Sequence, residues 1–80
     1  MNHYLATFHT HLAALKTHRS LLKQGVEARM SPVPRKISSS CGTCVQYFAE
    51  LPHENCMDED AEALYRIDGE SIEMLKVFSE

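Results

Sequence analysis

The sequence predicts a single α+β domain over residues 1–80, a two-layer sandwich in which a mixed sheet of about four strands is covered by one long helix, broadly ferredoxin-like. Three observations lead to this class: an alternating apolar segment opens the chain, a helical period follows, and a second alternating segment comes directly after it. A strand, a helix and a strand joined by tight turns form a right-handed crossover with parallel strands. A chain of this length buries only about 60% of its unfolded surface, so we expect a thin core.

The first strand is predicted at residues 3–8, where apolar and more polar side chains alternate. A helix follows at residues 11–24, because the hydroxyl of Thr10 can cap its first turn and Gly25 can adopt the left-handed conformation that ends it. At 100° per residue, the inner face of this helix is expected to hold Leu12, Leu15, Leu22, His11, His18, Ala14 and Leu21.

Residues 26–31 alternate without a break and form the clearest predicted strand. The segment Pro32-Val33-Pro34 stops it, since proline cannot donate to a strand ladder. Two more strands are predicted at residues 45–49 and 63–67. Residues 71–78 favour a short helix, although the turn signal Asp68-Gly69 leaves a hairpin strand open.

Composition narrows the classes of function. No apolar run is long enough to span a membrane, and no secretory signal is recognisable, so we expect a cytoplasmic protein. Residues 1–40 carry six Lys/Arg against one acid, and residues 41–80 carry two against ten, so the halves could attract each other within the fold or in a homo-oligomer. The basic residues are too scattered to indicate nucleic-acid binding.

The segment Cys41-Gly42-Thr43-Cys44 is the predicted centre of chemistry, because two cysteines at this spacing can reach one point. Cys41 is the better nucleophile: it follows a serine run, it precedes a glycine where amides approach closely, and Arg35 lies upstream. Amides and cations favour thiolate, which is the species that attacks disulfides, accepts sulfur or binds metal. The alternative without chemistry is a pair of reduced cysteines at the edge of the sheet.

A metal site is a second alternative. Cys41, Cys44, His53 and Cys56 have the residue types of a tetrahedral zinc or iron-sulfur site. Against this site, an extended strand at residues 45–49 would carry the second pair about 16 Å from the first.

Four of the five histidines lie within residues 3–18. We expect His11 and His18 to be partly buried and hydrogen-bonded to backbone groups, the commoner fate of histidines on an inner helix face. We expect His3 and His9 at the end of the first strand or in solvent.

Residues 32–42, with a proline-valine-proline-arginine element, a serine run and cysteine-glycine, resemble a small bacterial family of selenium/sulfur carrier-like proteins. The resemblance covers residues 3 to about 48 and implies a carrier that exchanges sulfur or selenium with protein donors and acceptors, without a cofactor. Carried over by position, the matching residues are Pro32, Pro34, Arg35, Ser38, Ser39, Ser40, Cys41 and Gly42.

We therefore expect a carrier or accessory protein, rather than an enzyme, that holds sulfur or selenium on Cys41. Cys44, which lies outside the family pattern, would be a second reactive thiol able to resolve a persulfide on Cys41. Arg35 would stabilise the thiolate, and the backbone and hydroxyls of Ser38, Ser39, Ser40 and Gly42 would bind it. An interaction domain without chemistry, whose loop docks a partner, stays open as a third reading.

Overall fold

A computed structural model describes residues 1–78, and its elements follow one another with short connections. Their bounds are β1 (Asn2–Phe8), α1 (His11–Lys23), β2 (Glu27–Pro32), β3 (Thr43–Ala49), a 3-10 turn (Glu54–Cys56), β4 (Ala61–Asp68) and β5 (Ser71–Val77).

The five strands form one sheet in the order β2-β3-β1-β4-β5. All four neighbouring pairs are antiparallel, so the predicted mixed pairing is wrong, while five strands are compatible with the predicted count of about four. β1 and β2 do point the same way, as the predicted crossover requires, but β3 returns between them and splits the β-α-β unit. The α+β class is confirmed, and a 3-10 turn lies between β3 and β4.

Both ends of α1 confirm the sequence prediction within one residue. The Thr10 hydroxyl accepts a hydrogen bond from the N–H of Ala13 at 3.1 Å. At the other end, the N–H groups of Gly25 and Val26 donate to the carbonyls of Leu22 and Leu21, each at 3.0 Å, while Gly25 has a φ of 78°. This pair of bonds is a Schellman motif.

None of the helices in residues 1–78 is long and apolar enough to cross a membrane.

The predicted inner face of α1 is only partly right. The helix is buried through Ala13, Ala14, Thr17 and Leu21, while Leu12 and Leu22 are 58% and 50% exposed. Thr17 faces inward because its hydroxyl accepts the N–H of Asp58 at 2.9 Å. His11 is also exposed, and His18 is half-buried with a ring nitrogen 3.1 Å from the carbonyl of Ala28.

Residues 71–77 form a strand, so the predicted C-terminal helix is wrong and the hairpin alternative is right. The pairing runs from Asp68 with Ser71 to Ala63 with Val77. A two-residue loop joins the strands, and Gly69 at its first position has a φ of 62°. Glycine at that position, with a positive φ, fits a type II′ hairpin turn.

The sheet is covered on both faces. On one face, α1 packs over a helix-side core that includes Tyr4, Phe8, Val45, Tyr47 and Leu64. On the other face, the segment between β2 and β3, residues 33–42, lies over a smaller loop-side core, and we call this segment the cysteine loop. The loop-side core contains Leu5, Ile37, Cys44, Ala63 and Tyr65. Because both faces are covered, every residue of β1 from Tyr4 to Phe8 is buried.

Candidate functional site

The cysteine loop is closed at its base and turned at its tip. The N–H of Val33 donates to the carbonyl of Gly42 at 3.0 Å, which extends the β2–β3 ladder by one step. The N–H of Ile37 donates to the carbonyl of Pro34 at 3.0 Å, so Arg35 and Lys36 form the centre of a tight turn. Ile37 then enters the loop-side core, where burial of a side chain of this size contributes roughly 1.5–3 kcal/mol.

Cys41 lies at the end of this loop and is partly exposed. Its side chain packs against the helix-side core, and its Sγ donates to the carbonyl of Thr43 at 3.4 Å. Gly42 has a φ of 77°. Among residues 1–78, the N–H groups of Cys41 and Gly42 donate no hydrogen bond. Within the described chain, the thiol that solvent reaches is therefore flanked by two main-chain N–H groups without an acceptor.

Cys44 has the opposite environment. Its side chain is fully buried in the loop-side core, on the other face of the sheet from the core that Cys41 contacts. Its Sγ lies 3.3 Å from the Ser31 hydroxyl and 3.7 Å from the Pro32 carbonyl. Burial raises the pKa of the Cys44 thiol, although the hydrogen bond with Ser31 opposes the rise. These features argue against the predicted role of Cys44 as a second reactive thiol.

The side chains expected to stabilise the Cys41 thiolate contact other groups or solvent instead. Arg35 and Ser38 are exposed and form no hydrogen bond or ion pair within the described chain. The Ser39 hydroxyl donates to the carbonyl of Phe8 at 3.4 Å. The N–H and hydroxyl of Ser40 both donate to the carboxylate of Glu62, at 3.4 and 2.9 Å. Ser39 and Ser40 thus anchor the loop, and the N–H of Gly42, the residue after Cys41, has no acceptor within residues 1–78.

The four residues of the alternative metal site do not come together. Within residues 1–78, no group of three or more His, Cys, Asp or Glu side chains could hold a metal ion. Cys44 belongs to the loop-side core and Cys56 to the helix-side core, so β3 separates them. His53 precedes the 3-10 turn in a left-handed conformation, with a φ of 52°.

The sequence reasoning missed the group that holds the cysteine loop to the rest of the fold. His9 Nδ1 lies 3.4 Å from the hydroxyl of Ser40 and 3.8 Å from Oε2 of Glu62. His11 Nδ1 lies 3.4 Å from the hydroxyl of Thr43. The two histidines thus contact residues on either side of Cys41. Their position around the predicted N-cap, Thr10, was the available signal, since it sets them at the start of α1.

Glu62 is the charged member of this group. Partial burial by itself raises the pKa of Glu62, but hydrogen bonds from Ser40, the Ser39 hydroxyl and the charge of His9 together lower the pKa below its ordinary value. The carboxylate is therefore ionised near neutral pH, as a double acceptor must be.

Comparison with known proteins adds one assignment. Neither the comparison with curated proteins nor that with solved structures gives a match. Residues 3–63, which include β1, α1, the whole cysteine loop and the start of β4, match the family described as "Putative Se/S carrier protein-like". This match covers more than half of the chain, as the sequence resemblance implied, and the chain therefore belongs to that family.

Proposed function

We propose that this chain is an accessory carrier that holds one sulfur or selenium atom on Cys41 and passes it to an acceptor protein. The proposal joins the family membership to one geometric observation. Of the three cysteines, Cys41 is partly exposed, whereas Cys44 and Cys56 are buried. A thiol must be reachable to accept an atom from a donor, and Cys41 meets that condition.

The chemistry needed is a thiol exchange that balances without an added oxidant. The Cys41 thiol first loses its proton to solvent. The thiolate attacks the terminal sulfur of a donor persulfide, the S–S bond of the donor breaks, and the donor leaves as a thiolate. A new S–S bond joins that terminal sulfur to Cys41 Sγ. The N–H groups of Cys41 and Gly42, which have no acceptor within residues 1–78, would be donors for negative charge on the product.

Mass spectrometry after treatment with glutathione persulfide tests the proposal. Trypsin leaves all three cysteines in one peptide, residues 37–66, so the added sulfur is located by fragmentation of that peptide. We expect one extra sulfur on Cys41 in the wild-type protein and none at that position in Cys41→Ser. A glutathione selenopersulfide arm reports whether the same thiol accepts selenium.

Two further variants control the experiment. Cys56→Ala removes a buried thiol on the helix side and should leave loading unchanged. Cys44→Ala tests whether the second thiol takes part: full loading of Cys41 in this variant supports carriage by one residue. The proposal fails if the folded wild-type protein gains no sulfur on Cys41, or if Cys41→Ser gains as much elsewhere.

A further inference from the structure

The backbone just before Cys41 is held by one carboxylate. Oε1 of Glu62 accepts the N–H of Ser40 at 3.4 Å, and Oε2 accepts the Ser40 hydroxyl at 2.9 Å. Ser40 is the residue adjacent to Cys41, so these two bonds fix both the main chain and the side chain at that point. Hydrogen bonds to a charged acceptor are stronger than those between neutral groups.

Glu62 is itself fixed by the sheet. It lies in β4, next to the central strand β1, and its side chain is 22% exposed. The N–H of His9 donates to the carbonyl of Asp60 at 3.0 Å, which ties the start of α1 to the start of β4. His9 Nδ1 stands 3.8 Å from the same carboxylate. The carboxylate is thus a rigid anchor for an otherwise irregular loop.

We propose that Glu62 is a positioning residue for Cys41: by binding Ser40 it keeps the Cys41 side chain against the helix-side core and limits how far the thiol is exposed. The inference rests on the proposed function, because it assigns Glu62 the control of access to the carrier thiol. Release of Ser40 from Glu62 would free the chain from Ser40 to Gly42. The Cys41 side chain would then move outward into solvent. An acceptor or donor that engages Ser40 or Glu62 would therefore uncover the thiol as it binds.

The rate at which Cys41 reacts with 4,4′-dithiodipyridine measures this control directly. We expect Glu62→Gln to raise the rate roughly fivefold, the factor that corresponds to loss of about 1 kcal/mol of hydrogen bonding. Ser40→Ala removes the hydroxyl from the other side of the same contact and should give a similar rise. The double variant should react no faster than the faster single variant, because both changes break one contact.

Matched changes nearby separate this contact from general effects of charge or sequence. Glu59→Gln removes an exposed carboxylate three residues away, and Ser71→Ala removes an exposed hydroxyl from β5. Both should react at the wild-type rate. Circular dichroism shows which variants are folded. If Glu62→Gln does not fold, Ser40→Ala decides the result, since its side chain is exposed and its change is small.

A pH profile gives a measurement that would not change if Glu62 acted only by packing. The titratable groups facing Glu62 are His9 from the β1–α1 junction and Tyr65 of the same strand, while the cysteine loop contributes hydroxyls. With the rate divided by the thiolate fraction, wild-type reactivity should rise as the pH falls through the lowered pKa of Glu62. Glu62→Gln should lack that rise.

An unchanged or slower rate in folded Glu62→Gln and Ser40→Ala would overturn the inference, and so would a pH profile that the Glu62→Gln change leaves intact. Failure of the carrier proposal is recognised separately, because dithiodipyridine reactivity does not depend on whether Cys41 accepts sulfur from a persulfide.

Discussion

Tyr47 has an unusual setting for an ionisable side chain. It is fully buried in the helix-side core, its ring is tilted 31° to that of Tyr4 with centroids 5.2 Å apart, and its hydroxyl donates to the carbonyl of Pro52. Burial raises the pKa of Tyr47 well above its ordinary value of 10.0, and the neighbouring Tyr4, Cys56 and Glu54 add to the rise. The folded protein therefore holds this phenol neutral.

The first prediction concerns alkaline pH. Because the pKa of Tyr47 is higher in the folded state, its contribution to stability is complete below pH 10.0 and is lost as the pH rises towards the folded-state pKa. Tyr47→Phe should cost about 1 kcal/mol at neutral pH, since the Pro52 carbonyl loses its donor. Denaturant unfolding at several pH values should show the gap between the two proteins narrowing above pH 10.0. A constant gap would contradict this assignment.

At the level of single residues, the sequence singled out Cys41, whose reactivity stays a prediction, but it did not indicate the contacts around it. Cys41 was identified from its neighbours in the chain, and adjacency to Gly42 is a local property. The contact between Ser40 and Glu62 joins residues 22 positions apart, and it depends on β4 pairing with β1. The same limit applies to Cys44, whose burial follows from Ile37 folding back over the sheet. The spacing of Cys41 and Cys44 does not say which face of the sheet each one contacts, because Cys41 precedes β3 and strand alternation does not apply to it.

Among the elements, the β4–β5 hairpin depends on the backbone of one residue. A Cβ placed on Gly69 meets no atom within 4 Å, so space is not what requires glycine. Its φ of 62° is the reason, because side chains with a Cβ adopt such values only at a cost.

The second prediction follows from this backbone geometry. Gly69→Ala should lower the free energy of unfolding by about 1–2 kcal/mol, the usual cost of holding an L-residue in a sparsely populated backbone region. Glu70→Ala, at the other position of the same loop, should change it by less than about 0.5 kcal/mol. Thermal or denaturant unfolding of the two variants provides the comparison. Equal effects would show that the turn does not depend on the conformation of Gly69.

Hydropathy correctly predicted that α1 packs on the sheet, but it assigned part of the buried face of the helix wrongly. Leucines weigh most in a helical projection, so Leu12 and Leu22 were assigned inward. The structure buries Ala14 and Leu21 as predicted, but it buries Ala13 in place of Leu12 and Leu22, and the small alanines allow close approach to the sheet. The buried hydroxyl of Thr17 compensates a loop amide, a requirement that a hydropathy scale does not represent.

For the whole molecule, the main departure from expectation is the cover on the second face of the sheet. The sequence predicted two layers because one amphipathic helix was visible. The cysteine loop has no periodic pattern, yet it places Ile37 over Leu5 and Tyr65 and carries Lys36 to the β4–β5 turn, where Nζ lies 3.5 Å from the Glu70 carbonyl. A strand buried on both faces, as β1 is, implies a second cover, but its source could not be recognised from composition.

The third prediction tests that cover. Ile37→Ala should lower the free energy of unfolding by about 2 kcal/mol, near the lower end for such truncations, because the cavity lies at the edge of the loop. It should also speed tryptic cleavage after Arg35 and Lys36, which the loop-side core holds in a folded turn. Leu12→Ala, at an exposed position, should stay within about 0.5 kcal/mol of wild type and leave cleavage unchanged. Equal cleavage of the two variants would show that Ile37 does not hold the loop down.

Charge is another property of the whole chain. Within residues 1–78, the ion pairs that join the basic first half to the acidic second half are those of the Met1 amino group with Glu50, at 3.6 Å, and of His9 with Glu62, at 3.8 Å. Within residues 1–78, no lysine or arginine of the first half forms an ion pair with a carboxylate, and the pair from Arg66 to Glu73 lies inside the second half. Among the residues that the structure describes, the basic side chains on α1, which include Lys16 and Lys23, form no ion pair.

The burial of Cys44 and Cys56 has a consequence for the timing of the proposed transfer. The Cys44 side chain lies in the loop-side core and Cys56 is buried, so a sulfur atom carried on Cys41, as we propose, would meet no exposed thiol of its own chain. In the proposed carrier, unloading would then be a second-order reaction, and its half-life would shorten in proportion to the concentration of acceptor. A loaded chain without an acceptor would keep its atom. The rate of delivery would depend on how often the chain meets an acceptor, and not on a first-order step within the chain.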